Sequence, residues 1–198
     1  MTDTETMLIP LEKYLKTGTH IGTKFRTKHA EKFIFKVNPD GLAILDVQQI
    51  DKRLETAGKF LAKYEPGEIV ITGRRENVWR PIKAFAKVIG CKEYAGRYKA
   101  GVITNPNLND FIEPKILIVT DPWLDKNAIH DAFETGIAII GCIDSNNTLN
   151  NIDFAIPCNN KGDKAIGAIL WVLANQYLKE RGQIKKDLDI PLEKFYEE

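Results

Sequence analysis

The 198-residue sequence lacks the long apolar segments that membrane-spanning helices require. Its longest apolar runs, such as ILIV and IAIIGCI, are far shorter than the ~20 residues that cross a bilayer. The first residues, MTDTETM, lack the basic and apolar regions of a secretory signal. Three cysteines without metal-ligand spacing fit a reducing compartment. We therefore expect a cytoplasmic protein with no membrane partner.

The sequence also lacks the motifs of common nucleotide-binding and catalytic sites. It contains no GxGxxG, GxxxxGK[ST] or GxSxG pattern, and its three histidines have no partner at i+4. We therefore expect no catalytic residue, no metal site and no cofactor. The turn at residues 159–164 (NNKGDK) has the form of an anion site at a helix start, but helix capping explains it more simply.

Three aspartates nevertheless follow predicted strands, where α/β enzymes hold their catalytic groups. They are Asp121, Asp125 and Asp144. Turn and cap roles account for each of them. A nucleotide- or flavin-binding α/β enzyme stays open as the alternative hypothesis, and a protein-interaction module that never touches RNA is a third.

No excess of one charge is visible over the whole chain, since 28 basic and 27 acidic residues give a net charge of +1. Counted by position, residues 1–100 carry +7 and residues 101–198 carry −6. The basic residues concentrate in residues 13–36 and 72–101. Such asymmetry is typical of a polyanion-binding face, although solvated surfaces are the simpler alternative.

Short apolar runs alternate with helical patterns along most of the chain. This alternation predicts an α/β fold, a three-layer α/β/α sandwich around a mostly parallel five-stranded sheet. The five core strands are predicted near residues 42, 68, 116, 137 and 152. A further strand is predicted at residues 32–37, and residues 98–103 are expected to be extended. Helices are predicted up to Gly18 and over residues 47–64, 79–89, 126–133 and 162–179.

We expect one domain with three parts. Residues 1–41 form an N-terminal helix, a basic loop and a hairpin-like extension. Residues 42–181 form the doubly wound core. Residues 182–198 form a charged C-terminal tail, expected to be mobile or to dock on a partner.

The first basic segment, HIGTKFRTKHAEKFIF, alternates cations with small polar residues. Its cations are Lys24, Arg26 and Lys28. Lysine and arginine neutralise phosphates, and the Thr23 hydroxyl and the Gly22 N–H are able to donate to phosphate or ribose oxygens. Phe25 is a candidate to stack on a base. This pattern favours a loop that follows a nucleic-acid backbone.

The second basic segment, TGRRENVWRPIK, places Arg74 and Arg75 between a strand and a helix, where anions are favoured. We expect Trp79 in the core rather than stacked on a base. A third patch combines Arg97, Tyr98 and Lys99.

Six segments together resemble the S-two family of small-subunit ribosomal proteins. They are YLKTGTHIGTKFRTKHAEKFIF, DGLAILDVQQIDKRL, GRRENVWRPIKAFAKVIG, RYKAGVITNPN, ILIVTDPWLDKNAIHDAFETGIAIIGCIDSNN and IDFAIPCNNKGDKAIGAILWVLANQYL. They occur in order and cover residues 8–181. The form resembles archaeal members, because it lacks the helical insertion of bacterial members and the long extension of the animal laminin-receptor-like ones.

The resemblance implies a flavodoxin-like fold and a structural, non-catalytic role in translation. It places the protein on the solvent side of the small ribosomal subunit, between head and body. The partners it implies are small-subunit ribosomal RNA and other small-subunit ribosomal proteins. The residues expected to contact RNA are His20, Gly22, Thr23, Lys24, Arg26, Lys28, His29, Arg74, Arg75, Arg80, Arg97 and Lys99.

Overall fold

The computed structural model describes residues 7–184 and 187–196. The strands are β1 (Ile34–Val37), β2 (Ala43–Leu45), β3 (Ile69–Gly73), β4 (Lys92–Ala95), β5 (Ile116–Val119), β6 (Ala138–Ile143) and β7 (Phe154–Pro157). The helices are α1 (Leu11–Thr17), α2 (Val47–Leu61), α3 (Trp79–Ile89), α4 (Lys126–Glu134) and α5 (Asp163–Glu180). In this part of the chain, no helix has the length and apolar character needed to span a membrane.

Five parallel strands form the central sheet in the order β4-β3-β5-β6-β7. The strand order starts at β3, adds β4 on one side and then adds β5, β6 and β7 on the other side. This is the doubly wound order of flavodoxin-like domains. Alternate residues of each strand face opposite layers, so Ile69 and Ile71 pack with α2, α3 and α5, whereas Val70 packs with α4. The predicted three-layer α/β/α fold is confirmed.

The strand predicted near residue 42 does not belong to this sheet. It is β2, which pairs antiparallel with β1 in a separate two-stranded sheet. The turn between these strands is short, and Gly41 adopts a φ of +82° within it. A connection this short joins antiparallel strands, because parallel neighbours need a longer crossover.

The fifth strand of the sheet is β4, which the sequence analysis missed. It lies at the sheet edge, where only one neighbour covers it, and its sequence, KEYA, has no apolar run. Because none of its residues is fully buried, β4 lacks the hydrophobic signal that identifies the central strands. Residues 98–103, predicted to be extended, are largely turns in the structure.

The helix starts and ends follow local chemistry that the sequence displays. Asp46 caps α2, since its carboxylate accepts a hydrogen bond from the Gln48 N–H at 3.0 Å. Gly18 ends α1 in a left-handed conformation with a φ of +70°. The start of α2 at residue 47 and the end of α1 at Gly18 agree with the predicted helix bounds.

The described part of the C-terminal tail packs against α5 of its own chain. Trp171 Nε1 donates to the Ile190 carbonyl at 2.8 Å, and Asn175 Nδ2 donates to Asp187 at 2.8 Å. Phe195, in the short 3₁₀ turn Leu192–Phe195, is fully buried against the core. These contacts cover one side of α5, the most buried helix of the molecule.

Replacing Phe195 with alanine should destabilise the fold by about 3–5 kcal/mol, the usual cost of emptying a buried aromatic site. Urea unfolding measures the change. The matched control is Phe25→Ala, because the Phe25 side chain is 80% exposed and its removal should change stability by less than about 0.5 kcal/mol. Equal stabilities of the two variants would show that the tail does not complete the core.

Candidate nucleic-acid interface

The carboxyl ends of the parallel strands gather a buried polar cluster built around Asp121. The Asp121 carboxylate accepts hydrogen bonds from Arg75 Nη2 at 2.6 Å and Nε at 2.9 Å. It also accepts from the Trp123 N–H at 3.0 Å and from Asn147 Nδ2 at 3.2 Å. One buried carboxylate thus ties together the segments that follow β3, β5 and β6.

Two more strand-end aspartates are buried beside it. Burial raises the pKa of Asp125 to about 7, and the charge of Asp121 adds to this effect, while a hydrogen bond from the Arg74 N–H opposes it. Burial also raises the pKa of Asp144, against the opposing effects of the Ser145 N–H and of Lys161 Nζ, which lies 3.2 Å from the carboxylate. Asp121 and Asp144 have the turn role expected of them, since each accepts from a backbone N–H one or two residues further along. Asp125 differs from the expectation, because its side chain does not cap α4 and accepts from the Arg74 N–H instead.

The basic loop, residues 19–30, is fastened to the segment that follows β6. The Thr23 N–H donates to Ser145 Oγ at 2.8 Å, and the Thr27 N–H donates to the Ser145 carbonyl at 3.0 Å. The Thr27 hydroxyl donates to the Asn147 carbonyl at 2.6 Å. The partners are separated by about 120 residues in sequence.

Gly22 and Thr23 both use their polar groups within the chain, Gly22 toward β2 and Thr23 toward the segment after β6. The Gly22 N–H donates to the Ala43 carbonyl at 2.9 Å, and the Thr23 hydroxyl lies 2.8 Å from Ser145 Oγ. A Cβ atom at residue 22 would lie only 3.0 Å from the Ala43 carbonyl oxygen, which explains the need for glycine. The groups that the sequence analysis assigned to RNA oxygens are therefore engaged within the chain.

The side chains between these anchors point into solvent. Lys24, Phe25, Arg26, Lys28 and His29 are all exposed. In the part of the chain that the structure describes, the two lysines and the arginine form no ion pair. The loop therefore presents its cations on one side and its anchoring groups on the other.

The hairpin extends this basic surface. Arg26 and Lys28 line a cleft with Lys36 of β1, together with Glu31 and the exposed Phe35. Lys36 was absent from the predicted contacts because its position in a strand separated it from the loop. Its place in the basic run of residues 13–36 was the available signal.

The two histidines of the loop differ in their surroundings. His29 Nδ1 accepts a hydrogen bond from the Leu149 N–H at 3.1 Å, which leaves Nε2 as the N–H donor. His20 is half-buried in a separate apolar groove beside Leu11, Leu15 and Phe35. Burial lowers the pKa of His20, so it is neutral at pH 7.

The second basic segment lies at the same edge of the sheet, since it follows β3. Arg74 is exposed, whereas Arg75 is held by Asp121. Trp79 is half-buried and donates from Nε1 to the Arg74 carbonyl at 3.3 Å. Arg80 is exposed on the first turn of α3.

The third patch does not combine cations with an available aromatic ring. Tyr98 is buried, and its hydroxyl donates to Asp131 Oδ2 at 3.0 Å. Lys99 forms an exposed ion pair with Asp110, with Nζ 2.5 Å from the carboxylate. Arg97 is exposed beyond the carboxyl end of β4. The expected cationic–aromatic patch is therefore wrong as far as Tyr98 is concerned, because this ring completes the core under α4.

Comparison with known proteins gives a consistent set of relatives. Residues 107–179 match the family described as Ribosomal protein S2. A protein of Nanoarchaeum equitans described as "Small ribosomal subunit protein uS2" is 48% identical over 190 residues, which is 95% of this chain and 94% of the relative. Proteins of the same description from Pyrobaculum calidifontis and Staphylothermus marinus are 44% and 46% identical. They cover 93% of this chain each, and 90% and 84% of their own lengths.

Removal of Arg75 should destabilise the fold, because it leaves the buried carboxylate of Asp121 without its charged partner. We expect Arg75→Ala to lower the free energy of unfolding by about 1–3 kcal/mol in urea unfolding. Arg74→Ala is the matched control, since this neighbouring side chain is exposed, and it should change stability by less than about 0.5 kcal/mol. A harmless Arg75→Ala would contradict the structural role of the ion pair.

Asp125 should make stability fall as the pH rises from about 4 to 7, because the folded protein retains a proton there that the unfolded chain releases. Asp125→Asn removes this titration and keeps an oxygen that accepts from the Arg74 N–H. The variant should therefore gain roughly 1–3 kcal/mol relative to the wild type between pH 4 and pH 7, measured by urea unfolding at each pH. An identical difference at both pH values would rule out the raised pKa.

Proposed function

Because the chain belongs to the uS2 family of small ribosomal subunit proteins, structural components without catalytic activity, we propose that it binds small-subunit ribosomal RNA through its basic loop. The proposal locates the protein in the cytoplasmic ribosome, on the solvent side between head and body. The family role replaces the alternative of a nucleotide- or flavin-binding enzyme.

The observation that supports the proposal is that anchoring groups and exposed cations occupy different positions in residues 22–29. Backbone groups and threonine hydroxyls fasten the loop to the segment after β6, and the cations remain exposed between the anchors. A loop that is already ordered pays less conformational entropy when it binds than a disordered basic segment does. Its exposed cations are then available to neutralise phosphates.

We assign distinct roles to the residues carried over from the family resemblance. Direct phosphate contacts are proposed for Lys24, Arg26, Lys28, His29, Arg74, Arg80 and Arg97, with Lys36 added by its place in the shared cleft. Positioning roles are proposed for Gly22, Thr23 and Arg75, whose polar groups are engaged within the chain. Lys99 and the neutral His20 are proposed as secondary contacts, since one is paired and the other faces an apolar groove.

Neighbouring small-subunit ribosomal proteins are the second proposed class of partner. The C-terminal half of the chain carries a net charge of −6, which suits basic protein surfaces better than phosphates. RNA and proteins would then contact different faces of the molecule.

The test replaces Lys24, Arg26 and Lys28 together with glutamine. Because three phosphate contacts are lost, the slope of log affinity against log salt concentration should become shallower by roughly 2–3. Filter binding to the small-subunit ribosomal RNA at several salt concentrations measures this slope, and sedimentation measures incorporation into small subunits.

The control replaces three exposed lysines near the opposite, amino-terminal ends of the parallel strands, so that the net charge changes equally. They are Lys63, Lys87 and Lys92. This variant should retain the wild-type slope to within about one unit. If both triple variants weaken binding to the same extent, only net charge matters and the loop is not the binding surface.

A further inference from the structure

A cleft of about 490 Å³ lies between the start of α4 and the segment that follows β6. Its lining includes Trp123, Lys126 and His130 on one side and Asn146, Thr148 and Asn150 on the other. None of these residues belongs to the proposed loop contacts. The cleft opens at the edge of the sheet where the basic loop is attached.

Trp123 gives the cleft an aromatic wall that is held in place but uncovered. Its side chain is 58% exposed, whereas Trp171 is 5% exposed. The backbone N–H of Trp123 donates to the buried Asp121, which fixes this turn. The indole therefore starts from a defined backbone position and leaves its face available to stack on an apolar or aromatic ligand.

The opposite wall offers amide groups. Asn146 Oδ1 is buried, and it has no hydrogen-bond partner in residues 7–184 and 187–196. Its neighbour Asn147 is saturated, because Oδ1 accepts from the Asp144 N–H and from Asn160 Nδ2 while Nδ2 donates to Asp121. Carboxamides carry a donor and an acceptor side by side, the arrangement that matches the edge of a nucleobase.

The cleft is continuous with the basic loop. The Asn147 carbonyl accepts from the Thr27 hydroxyl, and the Leu149 N–H donates to His29. One short segment therefore lines the cleft and anchors the loop that carries the cations. Lys126 and His130, both exposed, stand at the far rim, where Glu134 lies 3.4 Å from His130.

We propose that this cleft binds an unpaired nucleobase of a single-stranded RNA segment. The base stacks on Trp123 and is hydrogen-bonded by Asn146, while its flanking phosphates meet Lys28 and His29 on one side and Lys126 on the other. The inference rests on the proposed RNA binding by the loop and adds a preference for unpaired RNA. Amide-rich walls with cations at both rims favour RNA over an apolar protein segment.

The test compares Trp123→Leu with Trp123→Phe in the full chain. The probes are a short oligoadenylate strand and a duplex RNA of equal length. Trp123→Leu should weaken binding of the single strand by roughly 5- to 100-fold, the effect of losing one stacked base, and leave duplex binding unchanged. Trp123→Phe retains a ring and should keep most of the affinity. Urea unfolding confirms that both variants are folded.

A loss that is equal on both probes, or no loss on either, would overturn the inference. A second result would also overturn it. If Trp123→Leu binds both RNAs normally but small subunits that contain it lack a neighbouring ribosomal protein, the cleft is a protein contact. The triple loop variant separates the two proposals. It should weaken binding of both RNA probes. If it weakens binding of neither, the proposal that the loop binds RNA is wrong, and the single-strand preference is then decided by the Trp123→Leu result alone.

Discussion

The buried carboxylate of Asp121 is the contact on which the arrangement of the binding edge depends. It receives hydrogen bonds from the segments after β3 and β6 and from its own turn, so three strand ends share one acceptor. In a buried site such a charge is stable only when its partners are complete. Arg75 supplies the charge, and Asn147 passes the contact on to the basic loop through its own carbonyl. Hydrogen bonds therefore connect the carboxyl ends of the strands to the basic loop.

The basic loop shows how a segment without regular secondary structure obtains a defined shape. Its inward positions are Gly22, Thr23 and Thr27, which need little space. The two threonines hydrogen-bond to the segment after β6, and the Gly22 N–H donates to the Ala43 carbonyl in β2. Its outward positions are long cations that bear no part of the attachment. Anchoring residues and exposed cations occupy different positions of the loop, so the exposed positions are the ones at which a substitution leaves these anchoring contacts in place. The consequence is a cationic surface whose shape is set by contacts within the chain, which is what the proposed RNA binding would use.

Local patterns in the sequence predict the helices and the central strands, whereas long-range pairing decides the rest. Asp46 marks the start of α2 and Gly18 the end of α1, and β5 is an uninterrupted apolar run. The edge strand β4 is not recognised because none of its residues is fully buried and its sequence, KEYA, contains no apolar run. The roles of Thr23 and Tyr98 escape for a different reason, since their partners, Ser145 and Asp131, are distant in sequence. Both side chains carry a hydroxyl that is able to donate a hydrogen bond, but no local pattern identifies the partner.

Charged residues from the basic half and the acidic half of the chain both lie at the carboxyl ends of the parallel strands. Parallel strands bring the cations after β3 and β4 to the edge where the N-terminal loop is attached, and the same rule brings Asp121, Asp125 and Asp144 there from the acidic half. The three aspartates are buried, and Asp121 and Asp144 are paired with cations of the chain. A buried, neutralised carboxylate repels an approaching phosphate weakly, while an exposed lysine keeps its full attraction. The edge is therefore positive toward solvent although three aspartates lie there. Burial, more than composition, determines which charges this edge presents to solvent.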